Sequence, residues 1–167
     1  WYQEATKYLT TYYGQLAFLK IKPNERFELK EQVNIDNKYR KKFYEKDLVK
    51  IVFLLNELNK DKYAKDILKH LATENVENGS EILAAELATN ISRYDFAIQI
   101  SKLASYEKRF HNNFNYPIIS TPKYVNGRKI PETAFILSLI RQESEFDMRA
   151  NSHVGAQGLM QLMPYTA

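Results

Sequence analysis

The sequence has no cysteine, and with that absence go disulfides, thiolate nucleophiles and cysteine-based zinc sites. Compartment stays open, since cysteine-free chains suit cytoplasm and periplasm alike. Glycine and proline are sparse, five of each in 167 residues, which excludes collagen-like and low-complexity scaffolds. Long hydrophobic runs are missing too. Ile51 to Leu55 and Ala134 to Leu137 are among the longest, whereas a spanning helix needs about 20 apolar residues, so stable membrane insertion is not expected. No charged start followed by an apolar stretch marks a secretory leader. The chain opens at Trp1 rather than Met and closes on Thr166-Ala167 directly after an apolar run, so both ends are expected to lie inside a longer protein. Charge of one sign is scarcely in excess. The 24 basic and 20 acidic residues are interleaved and leave +4, a weak pull toward acidic partners. The one dense basic run, Lys38-Tyr39-Arg40-Lys41-Lys42, reads as a solvated helix end or loop, with contact to an acidic polymer as the alternative. No aromatic–basic stripe accompanies it, and nucleic acid is not expected.

What is present is globular: 44% apolar and 26% charged residues, in a length that accommodates one domain or two small ones. Nearly everything up to about Arg109 reads helical, with apolar residues at three- and four-residue steps. Leu48, Ile51, Val52, Leu55 and Leu58 form one stripe; Tyr63, Ala64, Ile67, Leu68 and Leu71 a second. Leu83, Ala84, Leu87, Ala88 and Ile91 form a third; Phe96, Ala97, Ile100, Leu103 and Ala104 a fourth. The breaks at 59–61, 78–80 and 90–92 are short enough to make consecutive helices antiparallel neighbours. An offset of 32 aligns the pairs and predicts a helical-hairpin repeat; two ordinary hairpins with coincidental spacing are the alternative.

From His111 to Ile130 the helical stripe stops, and Pro117, Pro122 and the turn pair Asn126-Gly127 take over. A domain boundary is placed here, giving residues 1–112 as the repeat and linker and 113–167 as the opening of a second domain. Pro131 suits a first helical position. Ala134, Phe135, Ile136, Leu137, Leu139 and Ile140 then point apolar groups in all directions, which predicts a helix buried on every side. That helix leads into Arg141-Gln142-Glu143-Ser144. A carboxylate carried into such surroundings is costly to ionise, and desolvation favours the protonated form that a proton donor needs. The bland alternative is a Glu at a helix end in solvent, beside Arg141.

The residues from Glu143 onward read Glu143-Ser144-x-Phe146, Ala150-x-Ser152, Gly155-Ala156-x-Gly158-Leu159-Met160-Gln161-Leu162-Met163-Pro164-x-Thr166-Ala167. This pattern closely resembles the signature of the soluble lytic transglycosylases, the goose-lysozyme-like enzymes that cut bacterial cell-wall glycan. About 16 of its 25 positions fit at fixed spacing. Trp1 to Ala5 and Thr10 to Ala17 are similar, less specifically, to the helical repeat that precedes the catalytic domain in the large periplasmic members. Tyr106 to Pro117 is similar to the connection into that domain. The resemblance implies an all-α fold: a superhelical layer of helical hairpins followed by the N-terminal part of a lysozyme-like domain.

It also implies roles. Glu143 becomes the catalytic acid, while Ser152, Gln161 and Met163 become substrate-binding residues. Met163 would supply an adaptable apolar wall and Gln161 two-way hydrogen bonding. Gly155 and Gly158 are structural, permitting a tight turn and close backbone approach to a sugar. Pro164 ends a helix, and Leu159, Met160 and Leu162, at helical spacing, pack the core. Ser152 alternatively caps a helix start, and Ser144 is read as local capping. His153, His70 and His111 lack ligand spacing, so no metal and no cofactor are expected.

Most glycosidases need two carboxylates. Glu145 would point away from Glu143 if the helix continued, and Asp147 would share its face under mutual repulsion, so both are read as solvent or structural. The resemblance offers a one-carboxylate route on peptidoglycan glycan strands. Glu143 protonates the bond between N-acetylmuramic acid and N-acetylglucosamine, with the acetamido group able to cover the anomeric carbon. It then deprotonates the sugar's own 6-hydroxyl, leaving a 1,6-anhydromuramyl end in the periplasm. A lysozyme-like hydrolase and a helical-repeat binding scaffold with an inactive catalytic piece are the rivals. Protein partners are not legible. Since the family's catalytic domain continues beyond the Met-Pro-x-Thr-Ala motif, a chain ending at Ala167 is expected to show weak activity or none.

Overall fold

The computed structural model describes residues 1–26 and 35–166; the part of the expected helical region at 27–34, and Ala167 of the closing motif, lie outside the described residues. The chain divides into two compact units, Trp1–Gln32 and Val33–Ala167, each described by itself.

In the first unit, α1 (Tyr2–Ala5) is followed by α2 (Tyr12–Ile21). The Thr11 hydroxyl caps α2 by accepting from the Gly14 backbone N–H at 3.1 Å. Gly14 is there for space, because a Cβ would lie 2.0 Å from the Tyr8 carbonyl oxygen.

The second unit starts with α3 (Asn37–Tyr44), capped by Asp36, whose carboxylate accepts from Lys38 N–H at 3.1 Å. The basic run lies on this helix, where Arg40 pairs with Glu86. Then come α4 (Asp47–Glu57), α5 (Asp61–Thr73), a 3-10 turn at Val76–Asn78, α6 (Ser80–Asn90) and α7 (Tyr94–Tyr106). The hairpin α4–α5 recurs as α6–α7 with the same helix lengths, 11 and 13 residues, and starts 33 residues apart. The repeat unit is thus one residue longer than the 32 expected. Its turns explain the spacing. Asn59 (φ 54°) and Ser92 (φ 59°) stand at equivalent left-handed positions. Lys60 N–H donates to Leu55 O at 2.8 Å, and Arg93 N–H to Ala88 O at 2.9 Å, closing each helix with the same Schellman bond.

The core is built around α6, which contacts α3, α5 and α7. Leu83, Ala84, Ala85, Leu87 and Ala88 are buried there, the alanines allowing close helix approach, and Leu68, Leu71, Phe96 and Ala97 pack against them. The third stripe is buried throughout. The first is rotated: Val49 and Val52 face inward, whereas Ile51 and Leu58 are 40% and 66% exposed. Tyr63 and Leu103 are also exposed. These helices are packed less completely than α6, so part of each apolar stripe stays at the surface.

After α7 the chain makes α8 (Asn112–Asn115), a two-stranded antiparallel hairpin of β1 (Tyr124–Val125) and β2 (Arg128–Lys129), and α9 (Thr133–Glu143). Asn126 and Gly127, at φ 50° and 75°, form its turn. Glu132 occupies the cap position of α9, so Pro131 precedes the helix and does not open it. Nor is α9 buried on every side. Ile140 is buried and Ile136 and Leu137 are partly so, in a cluster with Ile98, Phe146, Ile119 and Leu159, while Phe135 is 56% exposed. Ala134 and Ser138 are exposed as well, so one flank of the helix carries the packing of its apolar residues. No helix of the described residues is long and apolar enough to cross a membrane.

Candidate functional site

Glu143 is the last residue of α9. Its side chain is exposed, contrary to the water-poor setting expected, because the packed flank of α9 stops at Ile140 and the helix end projects beyond it. Among the described residues its carboxylate makes no ion pair. Neighbouring carboxylates differ. Glu145 accepts from Lys102 Nζ at 2.7 Å and from Arg141 Nη1 at 3.2 Å. Burial works against ionisation of Glu145, but the hydrogen bonds and charges of Lys102 and Arg141 together hold its carboxyl below the usual range. Asp147 accepts from the Arg149 N–H at 2.9 Å and lies 3.9 Å from Arg93. The helix ends at Glu143, so the shared face expected for residues 143 and 147 does not form.

The residues after Ala150 build a compact loop. Ser152 accepts on its hydroxyl from the Ala156 N–H at 2.9 Å and exchanges a backbone bond with the same residue. It therefore closes a turn and caps no helix. Gly155 and Gly158 have φ of 92° and 71°, values that favour glycine, and a Cβ at either would meet no atom within 4 Å. Their need is conformational. Leu159 to Met163 form no helix: Gln161 sits at φ 48°, and Gln157 pairs with Leu162 through two backbone bonds. Leu159 joins the α9 cluster as expected, whereas Met160 and Leu162 are 38% and 46% exposed rather than core. Gln161 donates both amide protons inward, to Gly158 O at 2.8 Å and Ala150 O at 3.2 Å, which leaves its carbonyl oxygen for any further partner. Met163 is half-buried and Pro164 exposed, the proline lying in a turn closed by Thr166 N–H on Met163 O at 2.8 Å and ending no helix.

Ser144 links the helix end to this loop. Its hydroxyl donates to Leu159 O at 2.8 Å and also lies 3.3 Å from Ile140 O. The structure thus gathers Ser152, Gly155, Gly158 and Gln161 into one loop and ties that loop to the residue following Glu143.

Sequence reading missed the polar contacts that join this region to the repeat. Arg93, buried, donates to both oxygens of Asp95 at 2.8 and 2.7 Å and lies 2.7 Å from Asp61, with Phe96 3.8 Å beneath its guanidinium. Arg149 reaches Asp61 and Asn59, each at 2.7 Å. Burial works against ionisation of Asp61, but hydrogen bonds from Arg149 and Arg93 prevail and keep its carboxyl below the usual range. A cleft of about 450 Å³ opens beside these groups, lined by Lys62, Lys65, Gln99 and Ser144 among others; none of the expected site residues lines it. Similarly, Glu81 binds Arg109 at 2.7 and 3.0 Å and the buried His111 at 3.1 Å. Apart from Arg93 and Asp95, which are two residues apart, these partners are separated by 28 to 90 residues, so no local pattern marks them.

Fold and loop together define an all-α protein in which a helical-hairpin repeat leads into the opening of a lysozyme-like domain. Residues 123–167 match the family model described as Transglycosylase SLT domain. The chain is similar to soluble lytic transglycosylases, by sequence over part of its length and by fold along nearly all of it. A soluble lytic murein transglycosylase of Escherichia coli (strain K12) is 36% identical over 87 residues, 50% of this chain and 13% of that protein. The crystal structure of the 70 kDa soluble lytic transglycosylase from Escherichia coli superposes with a TM-score of 0.68 at 23% identity, covering 99% of this chain and 26% of that one. An inactive mutant of the lytic transglycosylase Slt from Pseudomonas aeruginosa gives 0.72 at 24% identity, with the same coverages. The chain thus spans about a quarter or less of its relatives' lengths.

Proposed function

We propose that this chain is part of a lytic transglycosylase that cleaves the β-1,4 bond between N-acetylmuramic acid and N-acetylglucosamine in peptidoglycan, forming 1,6-anhydromuramyl ends in the bacterial periplasm. Residues 113–167 are its share of the catalytic domain and residues 1–112 its share of the repeat. The observation that carries the reading is the contrast, among the described residues, between Glu143, accessible and without an ion pair at the end of α9, and Glu145 and Asp147, each beside a cation.

In the proposed reaction Glu143 donates its proton to the bridging oxygen, and the sugar leaves as the bond breaks. The same carboxylate then takes the proton of the muramyl 6-hydroxyl as that oxygen attacks the anomeric carbon, so no water is consumed. Ser152, Gln161 and Met163 form the substrate-side wall, with the Gln161 carbonyl accepting from a sugar hydroxyl or amide. Gly155 and Gly158 keep the loop in its left-handed turns. A hydrolytic, lysozyme-like outcome is the second reading, favoured by the exposure of Glu143, which admits water to the same acid. Mass spectrometry of glycan digested by the full-length protein separates them, since the anhydro product is lighter by one water. Glu143→Gln should abolish either activity; retained turnover would remove Glu143 from the chemistry.

A further inference from the structure

The backbone just beyond Glu143 is unusual. Glu145 and Phe146 are consecutive and both left-handed, at φ 51° and 66°, although neither is glycine or asparagine. Each such residue is disfavoured roughly tenfold against right-handed backbone, and a pair survives only where its surroundings impose it. Those surroundings are on hand. The Glu145 carboxylate is held by Lys102 of α7 at 2.7 Å and by Arg141, which is itself fixed on Asn115 O and Oδ1 at 3.0 and 2.9 Å. Phe146, 3% exposed, packs with Ile98 and stands 6.3 Å from the Tyr94 ring, both on α7. Asp147 N–H closes the turn on Ser144 O at 3.0 Å.

Were residues 145 and 146 to relax to right-handed values, α9 would continue past Glu143. Ser144 would then leave Leu159, and the acid would no longer stand at a helix end beside the 150–163 loop. We propose that Glu145 is a positioning residue: held by Lys102 of the helical repeat, it keeps the chain after Glu143 in a left-handed turn and so fixes where the Glu143 carboxylate stands. The repeat is then a brace for the acid, built into the neighbouring layer. This rests on the reading of Glu143 as the acid.

Glycine adopts left-handed backbone without penalty, which separates the turn from the ion pair. In the full-length protein, Glu145→Ala and Glu145→Gly remove the same carboxylate. Turnover of purified glycan strands by Glu145→Ala should fall about tenfold in kcat with KM unchanged, while Glu145→Gly stays within about threefold of the parent. Glu145→Asn should lie between, and Glu145→Gly combined with Lys102→Met should lose nothing further. Amide exchange over residues 144–150 gives a second readout: faster in Glu145→Ala, retained in Glu145→Gly. Equal kcat for the alanine and glycine variants, or a change confined to KM, overturns the proposal, as does equal exchange. Glu143→Gln run alongside keeps the two readings apart. If it still turns over glycan, the acid is misassigned, and the exchange comparison alone decides the role of the turn.

Discussion

Arg93→Met gives a sharp test of how the repeat is held together. Arg93 is 7% exposed and Asp95 5% exposed, and the pair is bidentate at 2.8 and 2.7 Å. The variant keeps apolar bulk at this position but removes the guanidinium that lies over Phe96 and, with it, the charge that justifies burying Asp95. Breaking a buried pair from one side costs about 3–5 kcal/mol, because the remaining ion is left without water or partner. Asp61 keeps Arg149 at 2.7 Å, so its loss is small and the total belongs near the lower figure. At about 2–4 °C per kcal/mol for a chain of this size, the melting temperature should drop by roughly 6–12 °C. Urea unfolding with an unchanged m-value measures it. Arg93→Met combined with Asp95→Asn should recover part of the loss by removing the stranded charge. A single variant less than about 1 kcal/mol below the parent, or a double variant no better than the single, would mean that the Arg93–Asp95 pair does not hold the repeat.

Acid should weaken the fold through the carboxyls held below their usual range, Asp61, Glu81 and Glu145. Their contribution is fully present above the ordinary carboxylate range and is lost as pH falls through the lowered values, so urea midpoints should be flat from pH 7 to about 5 and decline below about 4. Leu71→Ala, at a fully buried position, should cost about 2–5 kcal/mol, whereas Leu58→Ser, at a 66% exposed one, should stay within about 0.5 kcal/mol by the same unfolding assay. Gly158→Ala meets no neighbour but forces a left-handed alanine, so a loss near 1 kcal/mol is expected, and no measurable change would mean that the loop re-forms differently.

The helices and their turns were legible because apolar periodicity and short breaks are local properties. The third stripe, Leu83 to Ile91, lies on the innermost helix and is buried as read, while the stripes on α4, α5 and α7 leave Leu58, Tyr63 and Leu103 outside. Periodicity locates an apolar face; which part of it finds a neighbour depends on the layer's edges. Much the same applies to α9, whose apolar ring predicts burial that its surroundings supply on one flank. The loop from Ala150 to Pro164 was legible as a motif and illegible as backbone. Leu159, Met160, Leu162 and Met163 mimic helical spacing, yet Gln161 at φ 48° and the two left-handed glycines bend the chain into turns. The contacts of Arg93 with Asp61, of Glu81 with Arg109 and of Glu145 with Lys102 join residues distant in sequence, where spacing carries no signal.

In the proposed reaction Glu143 acts alone, with no second carboxylate and no water in the bond-forming step. Mass analysis of the ends released from purified peptidoglycan by the full-length protein addresses it directly. Anhydromuramyl termini from the parent and none from Glu143→Gln are the predicted result. Reducing termini from the parent, or anhydro termini from Glu143→Gln, would contradict it.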